Sequence, residues 1–400
     1  NGGRARIYDS ITQTADVRMI PLVAQPMAVI EKSNTPMTAT PPLPPATPEE
    51  VSVGEEIRYQ MVAELPVANM RDFRIRVELP QGLSCIELQD VNLSSGVYAA
   101  ANFVPGGPPV STTCTATTGA GRDVVEWFFD DQAVTASLPG NRFLFPINFV
   151  ARVENTSVTN ENLTITNAGT SVNPATCSAA GASSAAVCYV NDGGSDVALD
   201  FASVDVVVRE PVIALTKSFL PVVNSDAADV LTVTVTAENT GTAAAYNLQI
   251  LDDLVGSDLT YINDSMAGAN APDDDGVAAD SKLPIFTWNR ATNPDYEIQT
   301  GVANIKTFTF QVRVDTTAQP LEILDNTIEA KWDSLPGQDV AINHLVVPQG
   351  IGPDGSILGL RNGAVPNLAV APNLYEETAT ASTSVLPLTI TKTDLSTLTV

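Results

Sequence analysis

The chain has 400 residues, 44% hydrophobic and 6% aromatic, enough to bury the cores of two or three domains. Lys and Arg total 20 against 46 Asp and Glu, a formal charge of −26 that repels phosphate backbones and anionic membrane surfaces and argues against nucleic-acid partners. The single histidine, His344, leaves no basis for multi-histidine metal sites or His-based acid–base chemistry, and no apolar run reaches the roughly 18 residues of a membrane span.

Residues 1–24 read as the closing strand of a preceding repeat, or as a strand shared with another subunit, because Thr14–Pro21 echoes Thr378–Pro387. A first repeat then spans 27–209. It opens with Gln25-Pro-Met-Ala-Val-Ile-Glu-Lys-Ser33 and continues through Ile57–Met61 and the alternating Phe73-Arg-Ile-Arg-Val77. Alternation of this kind buries one face and wets the other, as in a half-buried antiparallel strand. Glu126-Trp127, Phe149–Val153 and Thr164–Asn167 follow, and Phe201–Val208 closes the repeat. Four cysteines fall in this half as two local pairs, Cys85 with Cys114 and Cys177 with Cys188. Without a CxxC or a nearby histidine they read as two disulfides of an exported protein, the alternative being four buried thiols.

A second repeat spans 211–386. Glu210-Pro-Val-Ile-Ala-Leu-Thr-Lys-Ser218 aligns with the opening of the first, so Lys217 matches Lys32. Asp229–Glu238 alternates Val or Leu with Thr, which favours strands. Asn247–Leu251, Thr287-Trp288, Thr307–Val314 and Ile323–Asn326 match first-repeat strands, and Glu377–Val385 closes the unit. Residues 388–400, with Leu388-Thr-Ile-Thr-Lys392, read as the opening strand of a following repeat or as an inter-subunit strand. Many short alternating strands, punctuated by 28 Pro and 25 Gly, predict an all-β fold of tandem sandwiches. Short joints at Pro26, Pro211 and Pro387 predict a semi-rigid rod.

Leu215-Thr-Lys217, Ala237-Glu-Asn-Thr-Gly-Thr242, Asn247–Leu254, Tyr261–Ser265, Thr287-Trp288 and Asp325–Ile328 carry a resemblance over about 211–335. Here the chain resembles the repeat domain of large bacterial and archaeal cell-surface proteins. The first repeat keeps Val53-Gly54-Glu55 and Leu79-Pro80 but lacks Asn-Thr-Gly-Thr. The resemblance implies immunoglobulin-like sandwiches and a role in stalks, adhesins or extracellular filaments rather than an enzyme.

Similar sandwiches in Gram-positive adhesins join a first-strand Lys to a late-strand Asn beside a buried carboxyl group. By that likeness the second repeat offers Lys217, Asn326 and Asp252. Asp252 shares the inward phase of Leu248 and Ile250. Burial lowers a Lys pKa and raises a carboxyl pKa, which supplies both the amine nucleophile and the proton carrier. The alternative places Lys217 in water at a strand end, with Asn326 and Asp252 at turns. The first repeat offers only Lys32, Asn167 and Glu78, with Val77 on the inward phase and Glu78 out of phase.

Asp273-Asp-Asp275 with Asp280 forms an acidic loop whose hard oxygens suit calcium, the alternative being a solvated acidic loop. Trp127 and Trp288 match in position, which reads as core rather than a sugar-stacking platform. The long segments 173–197 and 349–372 are expected to carry contacts, the second through the apolar Ile357-Leu-Gly-Leu360. No GxSxG, Walker loop or HExxH occurs. The sequence therefore predicts a non-catalytic, extracellular stalk or filament section whose partners are other copies or neighbouring repeats. The alternative is an adhesin whose loops bind a glycan or a host protein.

Overall fold

Strand propensity governs the described part of the chain, seen in a computed structural model that describes residues 28–32, 47–65, 67–88, 103–105, 109–117, 122–135, 143–154, 164–167, 172–173, 178–179, 184–190, 196–200, 204–221, 224–274, 282–288, 297–301, 305–335 and 375–389. Among the described residues all regular structure is β, and no helix is long and apolar enough to cross a membrane. Along the chain, two compact units meet between Arg209 and Glu210.

Unit one holds β1 (Ala28–Lys32), β2 (Glu49–Val51), β3 (Glu56–Leu65), β4 (Asn69–Glu78), β5 (Leu83–Leu88), β6 (Phe103–Val104), β7 (Ser111–Thr117), β8 (Arg122–Val134), β9 (Phe143–Val153), β10 (Thr164–Asn167), β11 (Val172–Asn173), β12 (Ser178–Ala179), β13 (Ser184–Val190), β14 (Asp196–Asp200) and β15 (Val204–Val208). One sheet runs β1-β3-β9-β5 and a second β14-β13-β4-β8-β6, with β7 also on β8. A third, β10-β15-β2, contains a parallel pair between β15 and β2. Alternate residues of β4 (Phe73, Ile75, Val77) and of β8 and β9 (Trp127, Phe129, Phe145, Phe149) form an aromatic core. Within it Phe73 meets Phe145 edge-on at 5.9 Å.

Unit two holds β16 (Ile213–Leu220), β17 (Val230–Asn239), β18 (Ala245–Asp253), β19 (Leu259–Ala267), β20 (Asp273–Asp274), β21 (Ile285–Thr287), β22 (Glu297–Ile298), β23 (Ile305–Val314), β24 (Ile323–Asp333) and β25 (Glu376–Ser384). The sheet β16-β17-β23-β19 faces β20-β21-β18-β24-β25, with β22 also on β18. Val and Leu of the Thr-Val repeat in β17 point inward, Leu231, Val233 and Val235 being fully buried, while the threonines face outward. Trp288, Phe286, Phe308, Phe310 and Tyr261 complete the core.

The turn after β17 fixes how the chain enters this unit. Asn239 is buried, and its Oδ1 accepts the Gly241 and Val212 N–H groups at 3.0 and 3.3 Å. Thr240 N–H donates to Val212 O at 2.7 Å and Thr242 N–H to Glu210 O at 3.0 Å. A Cβ on Gly241 would lie 2.4 Å from Val212 N and 2.5 Å from Glu210 O. Gly241 is therefore required by close backbone approach, and the Asn-Thr-Gly-Thr motif is a clamp on residues 210–212.

A candidate lysine–asparagine cross-linking site

Three strands of unit two bring the predicted trio together. On β16, Ile213, Leu215, Lys217 and Phe219 share the inward phase. On β18 the inward phase is Leu248, Ile250 and Asp252, and on β24 it is Leu324, Asn326, Ile328 and Ala330. Asp252 pairs with Ile328 across the β18–β24 ladder, so Asn326 is its diagonal neighbour on the same face. Lys217 reaches the pair from the facing sheet.

Lys217 Nζ lies 2.9 Å from Asp252 Oδ1, and both side chains are wholly shielded from solvent. Asn326 Nδ2 donates to Asp252 Oδ2 at 3.2 Å. Asn326 is 1% exposed, and its Oδ1 has no hydrogen-bond partner. The Phe310 ring closes the pocket, 6.0 Å from Nζ to its centroid. Burial pushes the Lys217 amine down to about 8, against the opposing pull of Asp252. Burial likewise raises the Asp252 carboxyl above its ordinary value, against Lys217 and Asn326. The dry surroundings thus bring the two proton affinities towards each other, so that one proton shared within the pair can leave a neutral amine beside a neutral acid. Phe310 was not singled out by the sequence motif; its place on the inward phase of β23 is the signal that finds it.

The backbone of unit one places the corresponding residues differently. Lys32 pairs with Ile57 on β3, whereas Lys217 pairs with Val235 on β17. With Tyr59 opposite Phe149 matched to Val233 opposite Phe310, Lys32 stands about four residues nearer the start of its partner strand. Asn167 lies on β10, which pairs with β15 in the three-stranded sheet. The strand beside β4 on that flank is instead β13. Val77 is fully buried where Asp252 stands in unit two, and Glu78 is turned to the other face, 3.2 Å from Arg76 Nε.

Cys85 and Cys114 form a disulfide that ties β5 to β7, strands belonging to different sheets. Cys188 is also disulfide-bonded, while Cys177 lies outside the described residues. The acidic run expected on a loop has the backbone of Asp273 and Asp274 in β20, paired with β21. Asp275 and Asp280 lie outside the described residues, as does segment 349–372. Among the described residues no group of three or more His, Cys, Asp or Glu is arranged to hold a metal ion. Trp127 and Trp288 are each 1% exposed, which places both in the cores.

No protein-family model and no curated protein matches the chain. Among solved structures, the C-terminal domain of the AgI/II polypeptide BspA of Streptococcus agalactiae aligns with 84% of this chain and 95% of its own, at 9% identity and a TM-score of 0.36. Domains D2 and D3 of the major pilin SpaD of Corynebacterium diphtheriae align with 72% and 80%, at 14% identity and a TM-score of 0.25. A C-terminal fragment of the major pilin GBS80 of S. agalactiae aligns with 74% and 84%, at 11% identity and a TM-score of 0.27. At these scores the likenesses carry no argument about function, and the all-β assignment rests on the sheets themselves.

Proposed function

We propose that unit two closes an amide bond between Lys217 and Asn326 within its sandwich, and that the chain is a structural, load-bearing section of an extracellular stalk or filament. The observation that carries this reading is the solvent-free contact of amine, carboxyl and carboxamide in one pocket. Such a pair is costly to bury. An ion pair removed from water recovers its desolvation only with excellent geometry, and an apolar pair would hold the core as well or better. A reaction that consumes the amine gives the arrangement a purpose.

In that reaction the shared proton sits on Asp252, and neutral Lys217 Nζ attacks Asn326 Cγ. The Nζ–Cγ bond forms as the Cγ–Nδ2 bond breaks. Asp252 donates its proton to the departing Nδ2 and takes one from Nζ, so the products are a secondary amide and ammonia, with Asp252 returned to its starting state. No oxidant or cofactor is needed. The pocket contributes position, holding Nζ and the carboxamide against one carboxyl group, and dryness, which keeps the amine neutral.

The disulfide between β5 and β7 supports an oxidising, extracellular setting. Intact mass tests the cross-link. The folded protein is expected to lack about 17 Da for the ammonia lost, and reduction should return about 2 Da per disulfide without touching that deficit. Lys217→Ala and Asp252→Ala should each abolish it. A mass accounted for by disulfides alone would remove the cross-link from this reading.

A further inference from the structure

Unit two has a particular path for tension. Tyr375, just before β25, donates its hydroxyl to Glu210 Oε1 at 2.9 Å, just before β16. Ser225, after β16, is bridged in parallel to Val385, just after β25. Its N–H donates to Ser384 O at 3.1 Å, and Leu386 N–H donates to Ser225 O at 2.9 Å. β16 and β25 therefore run the same way, starting at one end of the unit and finishing at the other. A chain under tension draws on β16 from its beginning and on β25 from its end, in opposite directions.

We infer that unit two is a force-limited extension element whose yielding part is β25. The inference rests on the Lys217–Asn326 cross-link proposed above. That bond would seal roughly 110 residues into a closed loop that tension cannot lengthen. β25 lies outside the loop. It is held on β24 by a nine-pair ladder from Ile323↔Ser384 to Lys331↔Glu376, with Thr327 and Thr380 joined through their hydroxyls at 2.7 Å. The amide anchors β24 at Asn326 towards the incoming end, while the outgoing chain draws β25 the other way. The ladder is thus loaded along its strands, and its hydrogen bonds share the load instead of opening one at a time. Once it gives and β24 beyond Asn326 peels from β18, about 60 residues after Asn326 pay out and extension stops at the amide.

Single-molecule stretching of the full chain, paired with intact mass on the same preparation, tests this. At roughly 3.6 Å per extended residue, cross-linked unit two should lengthen by about 200 Å in one step, against about 600 Å in Lys217→Ala. Reductant should lengthen unit one's step and leave the short step unchanged, which separates the two units. A preparation that has lost about 17 Da, yet gives no step near 200 Å, overturns the inference and leaves the cross-link standing. A preparation with no ammonia loss and a 600 Å step overturns the cross-link and the inference with it. The wild-type step length decides alone, so a variant that fails to fold does not blunt the test.

Discussion

Units one and two begin with the same Lys-ending motif, and in unit two that lysine meets a carboxyl and a carboxamide, whereas the backbone of unit one sets the matching residues on differently placed strands. Three differences separate them. Val77 occupies the inward position that Asp252 holds. Lys32 stands at another register on its partner strand. The β13–β14 hairpin lies beside β4, so that β10 with Asn167 pairs in another sheet, whereas β24 lies directly on β18. A lysine at the end of a first strand is therefore not sufficient. The neighbouring strand and its register decide whether the three groups meet. Unit one is tied between its sheets at Cys85–Cys114, and unit two contains no cysteine.

The comparison breaks most visibly if unit two is deprived of its lysine. Lys217→Ala removes the proposed cross-link and strands Asp252 in an apolar pocket, a change that costs roughly 3–5 kcal/mol when a buried pair loses one partner. Calorimetry should show unit two's transition falling by about 10 °C or more, with unit one's unmoved. Equal falls in both transitions would mean that the units do not melt independently. The reciprocal change is Val77→Asp in unit one. It buries a carboxyl among Ile75, Leu79 and Trp127 without an amine at the right register, so about 3 kcal/mol of destabilisation is expected. No ammonia should be lost, because β10 holds Asn167 in another sheet. A new 17 Da deficit in this variant would show that register matters less than the carboxyl itself.

Reduction sharpens the contrast from the other side. Opening Cys85–Cys114 and the disulfide of Cys188 should cost unit one at least about 2–4 kcal/mol and leave unit two unchanged. Thermal melts with and without reductant, read against Lys217→Ala, would give each unit its own staple.

Much of this was legible in the sequence, and the reasons are local. Period-two alternation placed Asp252 on the inward phase with Leu248 and Ile250, and the same count put Glu78 out of phase. What alternation cannot give is which strands become neighbours. Thr164–Asn167 and Ile323–Asn326 read alike, and β10 and β24 both pair with the closing strand of their unit. Only the chain between β10 and β15, which folds into β13 and β14 beside β4, separates them, and that is a long-range competition for one sheet edge. The Asn-Thr-Gly-Thr turn shows the same limit. Its residues announce a turn, but the close approach of Gly241 to Glu210 and Val212 exists only once β16 and β17 have paired. The Phe310 ring beside Lys217 follows from β23 pairing with β17 in the same sheet as β16, a strand order that no local pattern records.

The finest distinction between the units lies in how the reaction proposed for unit two should respond to pH. Attack requires a neutral amine and a protonated carboxyl together, a state that holds one shared proton. As pH falls below the raised carboxyl value, a second proton arrives and Lys217 becomes an ammonium ion, so the rate declines. As pH rises past about 8, the shared proton leaves, Asp252 ionises and the departing nitrogen loses its donor, so the rate declines again. The expected profile is a plateau bounded on the alkaline side near pH 8, falling about tenfold per unit beyond it, or about 1.4 kcal/mol of barrier for each. Freshly synthesised chain can be shifted across pH 4–10, quenched in denaturant and weighed to follow ammonia loss with time. A rate still climbing between pH 8 and the ordinary lysine value of 10.5 would mean that the amine titrates as if in water and needs no proton from Asp252. The same series run on unit one should be flat at zero, since a buried valine has no proton to give.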